Sequence, residues 1–289
     1  MNNFWKSFGW FLMSTLPLVL SLIMQAIVGA IALAIHGIFV TVREQLSNGS
    51  EHFDPEAFMD SYIDNVMAGS STAVFAYHVV ATAVFFLWYY LIFIRPNRHV
   101  PRSGKVLTLP IIGWSVAVGV TLCVFSTQMV YLGEYLVPEM INDFYEMLEN
   151  AGFGINALAI IAAIILAPVG EELLCRGVIQ HYAMKATKRF WIANVIQALM
   201  FGLMHMNMVQ GTYAFFIGLV LGWLRLRYKT LWVPIIIHFV VNISTSTWLG
   251  YLLEEIPRNF TTDLGLFVLA IAATMGILAV IGKAREEAV

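Results

Sequence analysis

Cysteine is nearly absent from this chain, with only Cys123 and Cys175 among 289 residues. Both lie inside apolar runs, so no disulfide framework is expected and neither thiol reports a redox compartment. Charge is also scarce: 12% of residues carry one, and the formal net charge of −2 offers no basic excess for a nucleic acid. Low-complexity segments, internal repeats and a soluble domain are missing as well. What fills the chain is apolar, 60% hydrophobic residues with a mean hydropathy of +0.78, far outside the range of soluble domains. The whole chain, 1–289, reads as a single integral-membrane domain whose first partner is the lipid bilayer.

A bilayer core needs roughly 20 apolar residues per helical span. Eight runs are expected to cross, at about 9 to 42, 71 to 94, 106 to 132, 155 to 184, 191 to 207, 208 to 224, 231 to 251 and 262 to 282. The first follows a single Lys6 and outruns the roughly 7 to 15 residues of a signal-peptide core, so it reads as a retained span. Strands of a membrane barrel would alternate in polarity over about ten residues, and these runs do not. The expected fold is therefore all-α, a polytopic bundle of about eight transmembrane helices.

The sparse charges sort by side. Thirteen of the sixteen Lys and Arg, including Arg95, Arg98, Arg102, Lys105, Lys185, Lys188, Arg189, Arg225, Arg227, Lys229, Lys283 and Arg285, fall with Lys6 on one side. Acids such as Glu51, Asp54, Glu56, Glu134, Glu139 and Glu254 mark the other, where Arg43 and Arg258 are the basic exceptions. The basic side is cytoplasmic by the positive-inside rule, which puts both termini there and, in a prokaryote, the protein in the plasma membrane. On the acidic side, short amphipathic helices can form from Pro55 onwards and over LVPEMINDFYEMLENAG, as solvated caps on the bundle. The sequons at Asn48 and Asn259 fall on that side too.

Few ionisable groups then remain at membrane depth: His36, His78, Glu171, Glu172, Arg176, His205 and His238. Each costs at least about 2.5 to 3.5 kcal/mol at a span centre, which makes it a functional candidate. A hairpin turning near Lys188 would set Glu171 and His205 each roughly 21 Å from the turn, at one depth. The active site is thus expected inside the membrane. In PVGEELLCRG, Glu172 and Arg176 stand four apart and can pair, while Glu171 points about 100° away and stays available. Pro168 lacks an N–H and frees a carbonyl near residue 164, opening or bending the helix just ahead of the carboxylates.

His238 and Asn242, in HFVVN, share a helix face and offer donors suited to an oxyanion. Glu171 with His205 offers a base able to activate water. Together they describe peptide-bond hydrolysis; the same Glu, two His and Asn can instead bind a divalent metal such as zinc. Buried Glu and His also serve proton-coupled transporters, although here the polar residues crowd into the second half rather than two related halves. His36 and His78 read as hydrogen-bonded bundle residues. Cys175 sits in an apolar setting that keeps a thiol protonated, so it is not taken as a nucleophile.

At this point the residues resemble a family. EELLCRG (Glu171 to Gly177) fits EExxxR, FGLMH (Phe201 to His205) fits FxxxH and HFVVN fits HxxxN, in the order and spacing of the CPBP family. That family includes the CAAX prenyl protease 2 type of intramembrane endopeptidase and the bacteriocin-processing and self-immunity proteins. The resemblance covers about residues 155 to 250, the CPBP-like catalytic core. It implies Glu171 and His205 as the water-activating pair, His238 and Asn242 as the oxyanion pair, and Glu172, Arg176 and Phe201 in support. It also implies a glutamate-type mechanism without a metal cofactor, and a peptide or membrane-anchored protein as substrate. A non-catalytic immunity protein that keeps the same residues as scaffold remains the alternative within the family.

Overall fold

Lipid cannot hydrogen-bond a backbone, so each crossing segment must pair its own N–H and C=O groups, and among the described residues this chain does so with helices alone. The computed structural model describes residues 3–47, 54–97, 107–151, 156–245, 252–253 and 255–286. Glu51, Arg98, Arg102, Lys105, Glu254, Asn48 and the ends of the expected seventh span and core lie outside them, as do the side chains of Lys283 and Arg285.

The helices are α1 (Asn3–Ser47), α2 (Pro55–Ala68), α3 (Ser70–Tyr89, continued by a π-helical turn over Tyr90–Ile94), α4 (Leu109–Leu136) and α5 (Pro138–Asn150). The second half holds α6 (Ala157–Thr187), α7 (Phe190–Leu203), α8 (Met208–Tyr228), α9 (Trp232–Thr245) and α10 (Phe260–Glu286). The described parts of all eight expected spans are helical, and among the described residues six helices are long and apolar enough to cross a membrane. The other two, α7 and α9, have 14 residues each. That is about 21 Å of helix against a core of about 30 Å. α7 turns Trp191, Val195 and Leu199 outward as a lipid-facing helix does, and α9 runs to the limit of the described residues at Thr245.

Two helical groups meet along α6. On one side α1 packs against α2, α3 and the C-terminal part of α6; on the other, α4 packs against α9 and α10, while α7 and α8 form an antiparallel pair. The outward faces are apolar: Ile27, Ile31, Ile35, Ile38 and Phe39 of α1 are more than half exposed, as expected of a lipid-facing stripe. The hairpin expected near Lys188 is present. Lys188 adopts a left-handed conformation (φ 54°) that ends α6, and α7 starts two residues later.

Both expected cap helices form. Asp54 caps α2 by accepting from the Glu56 N–H at 3.0 Å, with Pro55 at the first helical position. α5 buries Ile141 and Phe144 and turns its acids outward. Arg258, a basic exception to the charge segregation, is explained here: it pairs with Glu134 at 2.7 Å and stacks 3.6 Å from the Tyr131 ring centroid. Both partners are about a third exposed, so the pair contributes at most about 1 kcal/mol. Tyr145 of α5 donates to the same carboxylate at 2.7 Å; burial, then that negative neighbour, push its phenol above the ordinary range.

The tightest joint in the second half is made of amides. Gln197 of α7 donates to the Gly218 carbonyl at 2.8 Å, Asn194 to the Leu219 carbonyl at 3.0 Å, and Gln180 of α6 to the Gly222 carbonyl at 3.1 Å. Glycines on α8 allow it: a Cβ at Gly222 would run into Asn194 Oδ1 and Gln197 Nε2. Gly222→Ala is therefore expected to lower stability by about 1–3 kcal/mol. Thermal unfolding of the detergent-purified protein checks this against Gly276→Ala, whose added Cβ meets nothing within 4 Å.

Candidate active site

The candidate site is built on a helix that is regular nowhere near it. α6 carries one π-helical turn over Ala162–Leu166 and a second over Leu173–Ile179, with six α-helical residues, Ala167–Glu172, between them. The first is the local consequence expected of Pro168, which cannot donate to the carbonyl four residues back. The displaced carbonyls find partners: Asn242 Nδ2 donates to Ala163 O at 2.8 Å, and Thr82 Oγ1 to Leu166 O at 3.4 Å. Gly170 lets α3 approach, since a Cβ there would stand 2.6 Å from Thr82 Oγ1.

Glu171 and Glu172 part company here. Glu172 is wholly buried and its Oε1 pairs with Arg176 Nη1 at 2.8 Å, the expected i,i+4 pair. The same oxygen accepts from His238 Nδ1 at 3.0 Å. The acceptor is a carboxylate, so Nδ1 carries the proton and Nε2 faces the other way. Glu171 Oε2 lies 3.7 Å from that Nε2. A line therefore runs from Arg176 through Glu172 and His238 to Glu171.

Phe201 is the hub around which these groups are arranged. Its ring lies 4.3 Å from the Arg176 guanidinium, and both His205 and His238 meet it nearly edge-on, with centroids 5.1 and 5.6 Å away. His205 lies just past the end of α7, where Met206 takes a positive φ of 51° before Asn207 caps α8. Its Nδ1 donates to the Phe201 carbonyl at 2.7 Å, which fixes the tautomer and leaves Nε2 to act.

Glu171, Glu172, Arg176, Phe201, His205 and His238 thus come together from α6, α7 and α9. The nearest imidazole to Glu171 is His238, however, and no ion pair within 4.0 Å joins Glu171 to His205 among the described residues. Asn242 donates one amide hydrogen to the Ala163 carbonyl, which fixes its side chain against α6. Sequence reasoning left out two neighbours. His78, read as a bundle residue, and Tyr213 of α8 both sit close enough to Glu171 to feel its charge. Nothing in their spans marks them; only the packing of α3 and α8 against α6 brings them in. His36 does read as expected, with Thr72 Oγ1 3.1 Å from its Nδ1, away from the site. Cys175 is fully buried against Met204. No group of three or more His, Cys, Asp or Glu side chains is arranged to hold a metal ion among the described residues.

Residues 153–244, which contain every one of these motif residues, match the family model of type II CAAX prenyl endopeptidases, Rce1-like. That stretch is similar to the family the motifs resemble. Two relatives align with the chain in part. The "Uncharacterized 24.3 kDa protein" of Escherichia coli is 26% identical over 142 residues, 46% of this chain and 65% of the relative. The "Putative membrane peptidase YdiL" of Bacillus subtilis (strain 168) is 31% identical over 103 residues, 36% of this chain and 40% of the relative. The chain spans less than two thirds of either relative's length. No solved structure matches. The matched residues take in α6, α7, α8 and all but the last residue of α9.

Proposed function

We propose that this protein is an intramembrane endopeptidase of the glutamate type, cleaving peptide or membrane-anchored protein substrates. The observation that carries the reading is the Glu171 carboxylate, held 3.7 Å from a His238 nitrogen whose opposite nitrogen is anchored on a buried Glu172–Arg176 pair. Glu171, helped by His205, takes a proton from water, and the hydroxide oxygen bonds to the scissile carbonyl carbon as its π bond opens to an oxyanion. His238 donates through Nε2–H to that oxygen, with the Asn242 side chain as the further oxyanion residue of the motif. The tetrahedral species collapses, the C–N bond breaks, and Glu171 returns its proton to the leaving amine. Phe201 keeps both imidazoles at fixed angles, a positioning role.

The basic ends of the helices face the cytoplasm in this proposal, so substrates enter from the bilayer or that side. The test is cleavage by the purified protein in lipid vesicles, in water enriched in oxygen-18. A new peptide C-terminus carrying the label, made at equal rate with and without a strong chelator and with no zinc in the purified protein, is the expected result. Loss of activity on chelation, restored by zinc, would assign the site to metal chemistry instead.

A further inference from the structure

A cavity opens at the basic end of the same helices. It holds about 140 Å³ of water-accessible space between α3, α6, α7 and α8, with Arg176, Gln180, His181, Phe190 and Arg225 on its walls. His181 escaped the sequence reading of polar residues at membrane depth, and it feels the charges of Arg225 and Lys185. Arg225 is held by the Tyr89 hydroxyl and lies 5.5 Å from the Phe93 ring centroid, and no carboxylate is within 4.0 Å of it among the described residues.

Two residues on its walls carry donors with nothing to bond. Arg176, 2% exposed, uses Nη1 on Glu172 while its Nε and Nη2 have no hydrogen-bond partner, and Arg225 Nε is likewise buried and unpaired; His181 Nε2 is unpaired too and donates in the tautomer that protonates it. A buried donor left unmade costs about 1–3 kcal/mol, and more when charged. One compact group with several acceptor oxygens and negative charge would satisfy them together.

We propose that this cavity is a binding site for a phosphate-class anion, presented by the headgroup of an anionic lipid or as the free ion. It lies towards the ends of α6 and α8 that carry Lys185, Lys188, Arg189, Arg227 and Lys229 in sequence, the end where a headgroup of the basic leaflet would lie. Arg176 belongs to both sites, so the anion would steady the guanidinium that orients Glu172 and, through it, His238.

The test is native mass spectrometry of the detergent-purified full chain with phosphatidylglycerol, phosphatidylcholine or inorganic phosphate. Wild type should retain phosphatidylglycerol about tenfold better than phosphatidylcholine, Arg225→Gln should lose that preference, and Arg189→Gln, an exposed cation at the same end, should keep it. Displacement of the lipid by inorganic phosphate assigns the site to the phosphate group itself, and retention against it assigns the site to the lipid. If wild type retains both lipids equally and takes up no phosphate, or if Arg225→Gln and Arg189→Gln lower the preference alike, the proposal is overturned. The wild-type comparison stands even where Arg225→Gln does not fold.

Discussion

Glu171→Gln is expected to stop peptide cleavage, with a loss of about 10²–10⁴ in rate, while the protein still folds. Glutamine keeps the size and can still hydrogen-bond, but it cannot accept the proton of the attacking water. The substitution also removes one of the two buried negative charges, so Arg176 and Glu172 then balance each other and His238 has no carboxylate beyond Nε2. Folding should survive because Glu171, 9% exposed, lines the site rather than holding two helices together. The measurement is the rate of cleavage in vesicles beside the unfolding midpoint of the same preparation. An unchanged rate in a folded variant would sink the mechanism. A function preserved in cells with the variant would point to a binding or immunity protein that uses the site only as scaffold.

Glu172→Ala is expected to do its damage through stability first. It leaves the Arg176 guanidinium, 2% exposed, without its carboxylate, and it removes the acceptor of His238 Nδ1. Breaking one side of a buried pair costs about 3–5 kcal/mol, a large part of a marginal stability. Denaturant unfolding in detergent should show that loss. The double variant Glu172→Leu with Arg176→Met restores much of the stability, because no buried charge is left alone. Activity should not return with it, since His238 is still unanchored. If stability and activity recover together, Glu172 and Arg176 are structural only and the orienting role given to them is wrong.

These two expectations differ in how far the sequence foretold them. The pairing of Glu172 with Arg176 follows from four-residue spacing on one helix and needed no tertiary information. The opened helix ahead of Glu171 follows from Pro168, and the turn at Lys188 from the break between two apolar runs. The equal depth expected of Glu171 and His205 rests on counting residues along two helices of a hairpin. Which imidazole stands against Glu171 does not: that depends on the sideways packing of α9 on α6, which places His238 Nε2 at 3.7 Å. His78 was set aside because a lone histidine in a span has no partner visible in sequence, and its neighbours come from other helices. The amides Gln180, Asn194 and Gln197 were passed over since they carry no charge, yet they join α6, α7 and α8.

The sequence by itself determined that the chain is helical and membrane-embedded, where its motifs lie and which glutamate pairs with the arginine. Those properties follow from composition, from run length and from local spacing, because lipid forces each span to satisfy its own backbone. Only the tertiary structure decided that α9 brings His238 within 4.0 Å of Glu171 and that unpaired donors of Arg176 and Arg225 belong to the walls of a cavity at the basic end. Each of these depends on how helices lie beside one another. Residues far apart in the chain set that arrangement through shape and glycine-permitted approach, and no single segment contains the information.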